Sequence, residues 1–241
     1  MEELRQLVHQ AGRRSPEALA RLEHHYDIEL TYTSNAIEGN TLSAVETTLI
    51  IEKGIAVGGK PLSDRLEALD HYDAIRYVRE LDGMKRPSPK VTFAIFTAWS
   101  CKGPPRRLLV STRILRVRVR TETGRHTFPS PPEIPALMND FARWLVSAGN
   151  APDVAFAAHM RLVDIHPFND GNGRNARLLM NLILIRSGYP PIAVRPEDRP
   201  EYIRALHQEQ SGQGTNASGE SQHCSRSHTG LLTIHDSIRC Q

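Results

Sequence analysis

At 241 residues the chain is long enough for one large domain, or for one domain with appendages. Apolar residues make up 39%, charged residues 24%, and the formal net charge is only +3, so bulk charge points to no partner class. Three cysteines without framework spacing (Cys101, Cys224, Cys240) exclude a disulfide-stapled scaffold. The longest apolar runs are too short for a membrane span, and the acidic start (Met1, Glu2, Glu3) does not read as a signal peptide. A soluble cytoplasmic protein is the expectation.

Most of the chain reads as helix. Apolar positions at helical spacing predict one over 16–33. Ser43-Ala-Val-Glu46 is a capping box that opens a second, running to about Lys53 with Gly54 behind it. Ser63 is a candidate cap for a third, in which Leu66, Leu69, Ile75, Val78 and Leu81 recur with a period near 3.6. Val117-Arg-Val-Arg120 alternates, Thr121 to Gly124 can turn, and Arg125 to Phe128 can return, which predicts a β-hairpin. Pro132 and Glu133 precede a helix through Phe141, Trp144 and Leu145, stopped by Gly149. Residues 153–164 form another. An apolar helix over about Arg174 to Arg186 ends at Gly188-Tyr-Pro-Pro, and Pro200 opens a last one near Tyr202 and Leu206.

Charge is distributed unevenly. Between Asp82 and Glu122 there are ten basic residues and no acidic one. The remaining 20 basic and 27 acidic residues balance at −7. Residues 86–116 mix Pro, Trp, Cys and Arg without clear periodicity, and 211–230 are rich in Ser, Gly, Gln, Thr and His, a composition expected to be disordered. Cys101 lies in the first of these stretches, Cys224 in the second, and Cys240 beyond it in the tail. Ten basic residues could contact nucleic-acid phosphates, but no nucleic-acid fold signature accompanies them.

The densest functional signal is His166-Pro-Phe-Asn-Asp-Gly-Asn-Gly-Arg-Asn-Ala-Arg177. A Gly171-Asn172-Gly173 turn feeding a helix presents backbone N–H groups in one direction, where glycine permits positive φ and the helix N-terminus favours anions. Arg174 and Arg177 follow at i and i+3 on one helical face, and arginine forks bind phosphate in bidentate geometry. Asp170 beside phosphate oxygens calls for a cation; Mg²⁺, commonly held by one or two carboxylates plus substrate phosphates, answers that need. The plainer reading of Asp170 is a helix cap. His166 titrates near neutrality in its ordinary state and suits a general base. Ile165 and Phe168 are expected to pack.

At these residues the sequence resembles the Fic (Fido) family, whose motif is HxFx(D/E)GNGRxxR. His166, Phe168, Asp170, Gly171, Asn172, Gly173, Arg174 and Arg177 fill every specified position. The resemblance implies a mostly α, Fic-type helical bundle with a small β-hairpin flap over 117–128, which would hold a target by strand addition. It further implies Mg²⁺-dependent transfer of AMP from ATP to a protein hydroxyl. In that scheme His166 takes the hydroxyl proton and Asp170 holds Mg²⁺. Gly171, Asn172 and Gly173 form the anion hole, Arg174 contacts the phosphate chain, and Arg177 holds the γ-phosphate.

A second match lies upstream. Ser34-Asn-Ala-Ile-Glu38-Gly39 resembles the family's inhibitory motif, (S/T)xxxE(G/N). Glu38 is expected to form a charge-assisted, bidentate pair with Arg177 and deny it to the γ-phosphate, which predicts autoinhibition in cis. The expected organisation is an N-terminal helical region over 1–60, a core over 61–210 and a disordered tail over 211–241. The expected partners are ATP, a protein target and, as one oligomeric arrangement, a homodimer. Removal of AMP, transfer of another nucleotide-linked group, and a catalytically inactive binding module are the alternatives. Residues 86–116 lack the family's Gly-x-x-Arg segment, and the chain after His207 lacks its usual Gly-Asp pair; both stretches read as altered in frame.

Overall fold

In the computed structural model, the structure describes residue 6 and residues 15–55, 58–82, 113–121 and 124–213. The anomalous stretch up to residue 112, the tail beyond 213 and all three cysteines lie outside the described residues. Seven α-helices and one antiparallel hairpin are found among those described: α1 (Pro16–Ile37), α2 (Ala44–Lys53), α3 (Leu62–Asp82), β1 (Arg118–Thr121), β2 (Gly124–Thr127), α4 (Ile134–Ala148), α5 (Pro152–Ile165), α6 (Asn172–Arg186) and α7 (Arg199–Gln213). The fold class is the expected one. These elements fall into two compact units, with the residues of α5 and α6 divided between the two.

The first unit holds α1, α2, α3, residues 150–155 and residues 177–196. α1 is capped by Ser15, whose hydroxyl accepts from the Ala18 amide, with Pro16 at its first position. It continues four residues past the expected end, through Ser34 to Ile37. Its polar residues sustain it: Thr31, Thr33 and Asn35 each donate to the carbonyl four residues back. The helix stops in a Schellman turn, with Gly39 N–H on Ala36 O, Asn40 N–H on Asn35 O, and Gly39 at φ 99°. The loop that follows is tied to α3: Asp64 accepts from the Thr41 amide (2.8 Å) and hydroxyl (2.7 Å). The capping box of Ser43 and Glu46 forms as expected, and Gly54 closes α2 in the left-handed conformation. Ser63 does not cap α3; that helix has already begun at Leu62, and the Ser63 hydroxyl donates to Asp64 instead. The buried stripe of α3 runs through Asp64, Ala68, His71, Ile75 and Val78, while Leu69 is exposed. Arg79 closes α3 onto α1 through both oxygens of buried Asp27, at 2.7 and 2.9 Å.

Residues 175–184 of α6 are buried without a break, the pattern of a helix enclosed on all sides. Asn181 fastens the segment after it, donating to Ile192 O and accepting from Ile192 N–H.

The second unit holds the hairpin, α4, the rest of α5, residues up to Ala176, and α7. The strands pair Arg118 with Thr127 and Thr121 with Gly124, within the expected span of 117–128. Pro135 sits in the first turn of α4, and Gly149 ends it. α7 continues past His207 to Gln213; its Tyr202 bonds His159 of α5 at 2.9 Å, and Gln210 is buried.

Candidate active site

In the second unit, α5 ends at Ile165 and His166 follows directly. The His166 N–H still reaches Leu162 O at 3.0 Å, but its φ is +48°, the only positive value at a non-glycine residue among those described. Pro167 explains the stop, because proline cannot extend the helix and crowds the residue before it. A left-handed turn at a residue with a Cβ costs ~1–2 kcal/mol, so neighbouring groups must hold it. Phe128, at the end of the hairpin, stacks on the His166 imidazole with centroids 4.0 Å apart and planes 21° apart. His126 meets the Phe128 ring edge-on, with centroids 4.7 Å apart, and burial pushes its pKa down.

Arg113 holds the backbone. It is 1% exposed, and its Nε donates to His166 O at 2.9 Å. Its amide donates to Pro167 O at 2.8 Å, and its Nη atoms donate to Leu115 O and Pro129 O. Burial pulls the guanidinium below the ordinary arginine value. In the sequence Arg113 is one of ten basic residues in a stretch without pattern; only its tertiary partners set it apart.

The loop beyond His166 is closed by a side chain. Asn172 Oδ1 accepts from Phe168 N–H (3.0 Å) and its Nδ2 donates to Phe168 O (2.9 Å), so the asparagine mimics a backbone pair across the turn. Phe168 is buried, as expected of an anchor. Gly171 has φ 76° and precedes α6. Gly173, read from sequence as part of the turn, lies within the first helical turn. The amides at a helix start lack intrahelical acceptors, which suits an anion there.

Asp170 is strongly exposed, with its Oδ1 on the Gly171 amide at 2.7 Å and its Oδ2 on Arg174 Nη2 at 3.2 Å. The Gly171 amide precedes α6, so this bond is not that of a helix cap, which accepts from the second or third amide of the helix. Asp170 fits a magnesium ligand in one respect: it is a single, largely exposed carboxylate. Any Mg²⁺ there would take its remaining oxygens from phosphate and water.

In the first unit, Arg177 is buried on α6. Its Nε donates to Ser34 Oγ at 3.0 Å, and its Nη2 donates to Ser34 O at 2.9 Å and to Glu38 Oε1 at 2.8 Å. The pair expected between Glu38 and Arg177 thus has hydrogen-bond geometry, and Ser34 of the same motif adds two contacts. Gly39 supplies the positive φ that ends α1 beside Glu38. A small cleft is lined by Thr33, Ser34, His71, Arg177 and Asn181, among others. His71 carries no motif that sequence reading could have used.

No helix among the described residues is long and apolar enough to cross a membrane. Residues 104–184 match the Fic/DOC family. The chain is similar to "Protein adenylyltransferase Fic" of Nematostella vectensis, 36% identical over 195 residues, which cover 75% of this chain and 43% of that protein. It is 33% identical over 198 residues to "Protein adenylyltransferase fic-1" of Caenorhabditis elegans, covering 79% of this chain and 38% of that one. Among solved structures, a Fic domain containing signaling protein from Bacteroides thetaiotaomicron superposes with a TM-score of 0.74 at 26% identity, covering 98% of this chain and 90% of that one. Residues 134–508 of Fic-1 from C. elegans give 0.63 at 30% identity, covering 88% and 64%. The chain spans about two fifths of the length of the curated relatives it matches.

Proposed function

Because the chain belongs to the Fic/DOC family, we propose that it transfers AMP from ATP to a serine, threonine or tyrosine hydroxyl of a protein, and that Glu38 restrains this activity in cis. The observation that carries the reading is the turn at His166: a titratable imidazole held in left-handed backbone, followed directly by the Asp170–Arg174 loop and the start of α6. The two relatives named as protein adenylyltransferases support it.

In this reaction the target hydroxyl oxygen bonds to the α-phosphorus of ATP. The bond from that phosphorus to the α,β-bridging oxygen breaks, and pyrophosphate leaves. His166 accepts the hydroxyl proton. The α6 N-terminus with Gly171, Asn172 and Gly173 offers backbone donors to phosphate oxygens. Arg174, already within reach of Asp170, offers a fork to the phosphate chain. Mg²⁺ at Asp170 would neutralise charge on the phosphates. Arg177 would hold the γ-phosphate once Glu38 releases it. The hairpin's open edge is suited to pairing with an extended target segment.

Removal of AMP from a modified protein is a second reading, favoured by one observation. Glu38 is fixed by Arg177 yet 38% exposed, so its carboxylate can meet a water molecule.

The test is intact-mass spectrometry after incubation with ATP and Mg²⁺, comparing the chain with His166→Ala. A gain of one adenylyl group that disappears in the variant supports transfer; no gain in either, with or without Glu38→Gly, overturns it. Loss of AMP from a modified target without ATP, dependent on Glu38, would favour the second reading.

A further inference from the structure

The contacts of Arg113 have no place in the scheme above. A buried guanidinium is costly unless its donors are met. Here they are met by main-chain carbonyls from three places: Leu115 leading into the hairpin, Pro129 leaving it, and His166 at the end of α5. The Arg113 amide adds Pro167 O. Two of these bonds land on the strained turn that presents the imidazole, and two on the segments that enter and leave the hairpin. The residue next to Pro129 is Phe128, whose ring lies on that imidazole. One side chain thus fixes the histidine backbone and the segment carrying the ring that stacks on it.

We propose that Arg113 is a positioning residue for His166: it locks the left-handed turn and the Phe128 stack into a single block, so that the hairpin and the imidazole keep a fixed relation. The inference rests on the proposed role of His166. Arginine is required because a planar fork reaches carbonyls in several directions at once, whereas a lysine is a point donor on a flexible stem. Without the fork the turn can relax toward ordinary backbone, and the imidazole leaves its stacked orientation. Binding of ATP does not depend on that orientation; proton transfer does, since a small misplacement of a catalytic group lowers rate by orders of magnitude.

The experiment compares full chains carrying Glu38→Gly, with Arg113 intact, Arg113→Lys or Arg113→Gln. Two readouts are taken: steady-state AMP transfer, and the NMR titration of the His166 ring, identified by its absence in His166→Asn. Both variants are expected to fold, to lose at least tenfold in kcat with KM for ATP within twofold, and to titrate His166 at a shifted pH without the ring-current displacement from Phe128. An unchanged His166 titration with kcat within twofold overturns the proposal. Parallel loss of kcat and ATP affinity, or failure of both variants to fold, also overturns it, because Arg113 would then be a general structural residue. If the parent transfers no AMP while the His166 resonance still moves in the variants, positioning stands and the reading of His166 as base falls.

Discussion

Arg177 and Glu38 are joined by a 2.8 Å bond from Nη2 to Oε1, and the same nitrogen also reaches the carbonyl of Ser34. The guanidinium is nearly enclosed while the carboxylate is 38% exposed. Removing Glu38 therefore leaves Arg177 still oriented by Ser34. Glu38→Gly is expected to raise self-labelling with ATP at least tenfold and to cost only about 1 kcal/mol in stability. Labelled-ATP incorporation beside a thermal melt checks both; unchanged labelling in a folded protein removes the restraint from the scheme.

Ser34→Ala should behave differently. It strips the Nε acceptor from a buried arginine, so stability is expected to fall by about 1–2 kcal/mol. The backbone carbonyl and Glu38 remain, so labelling should rise less than in Glu38→Gly. A chemical-denaturation midpoint no lower than that of the parent would show that the Ser34 hydroxyl contributes nothing.

His166→Asn separates shape from chemistry. Asparagine tolerates positive φ, so the turn should persist and the melting temperature stay within a few degrees. AMP transfer should drop by roughly 10²–10⁴-fold, the usual worth of a general base. Transfer at the parent rate would reassign the proton to another group.

Asp164 provides a pH signature. Burial pushes its carboxyl up to about 6, beyond what a bond from Gln210 offsets, with Glu209 adding to the rise. Between its ordinary 3.8 and that value, the folded chain keeps a proton that the unfolded chain has released. Its contribution is therefore complete below the lower value and is lost as pH climbs through the upper one. Asp164→Asn should stabilise the protein at pH 7.5 by on the order of 3 kcal/mol, and give no gain near pH 3.5. Melting curves at the two pH values decide it; an equal shift at both would assign the effect to packing.

Local signals made much of this architecture legible. The Ser43 and Glu46 box, Gly54, Gly149 and the alternating strands all act within a few residues, and each falls where the sequence places it. The motif from His166 to Arg177 is equally local. What could not be read depends on distant partners. α1 runs through Ser34 because Thr31, Thr33 and Asn35 satisfy themselves on its own carbonyls, although such residues ordinarily argue for a helix end. Asn172 was legible as a turn residue, but not as the clip on Phe168. Arg113 was hidden among like charges, since nothing near it in sequence distinguishes a buried guanidinium from a solvated one.

The backbone at His166 carries a lasting consequence. Glycine or asparagine at that position would relax the main chain, so mutational drift blind to activity should erode the imidazole there first. In a library selected only for solubility and then sequenced, replacement at 166 should outpace replacement at the neighbouring Phe168, and a library selected for nucleotide transfer should reverse that order.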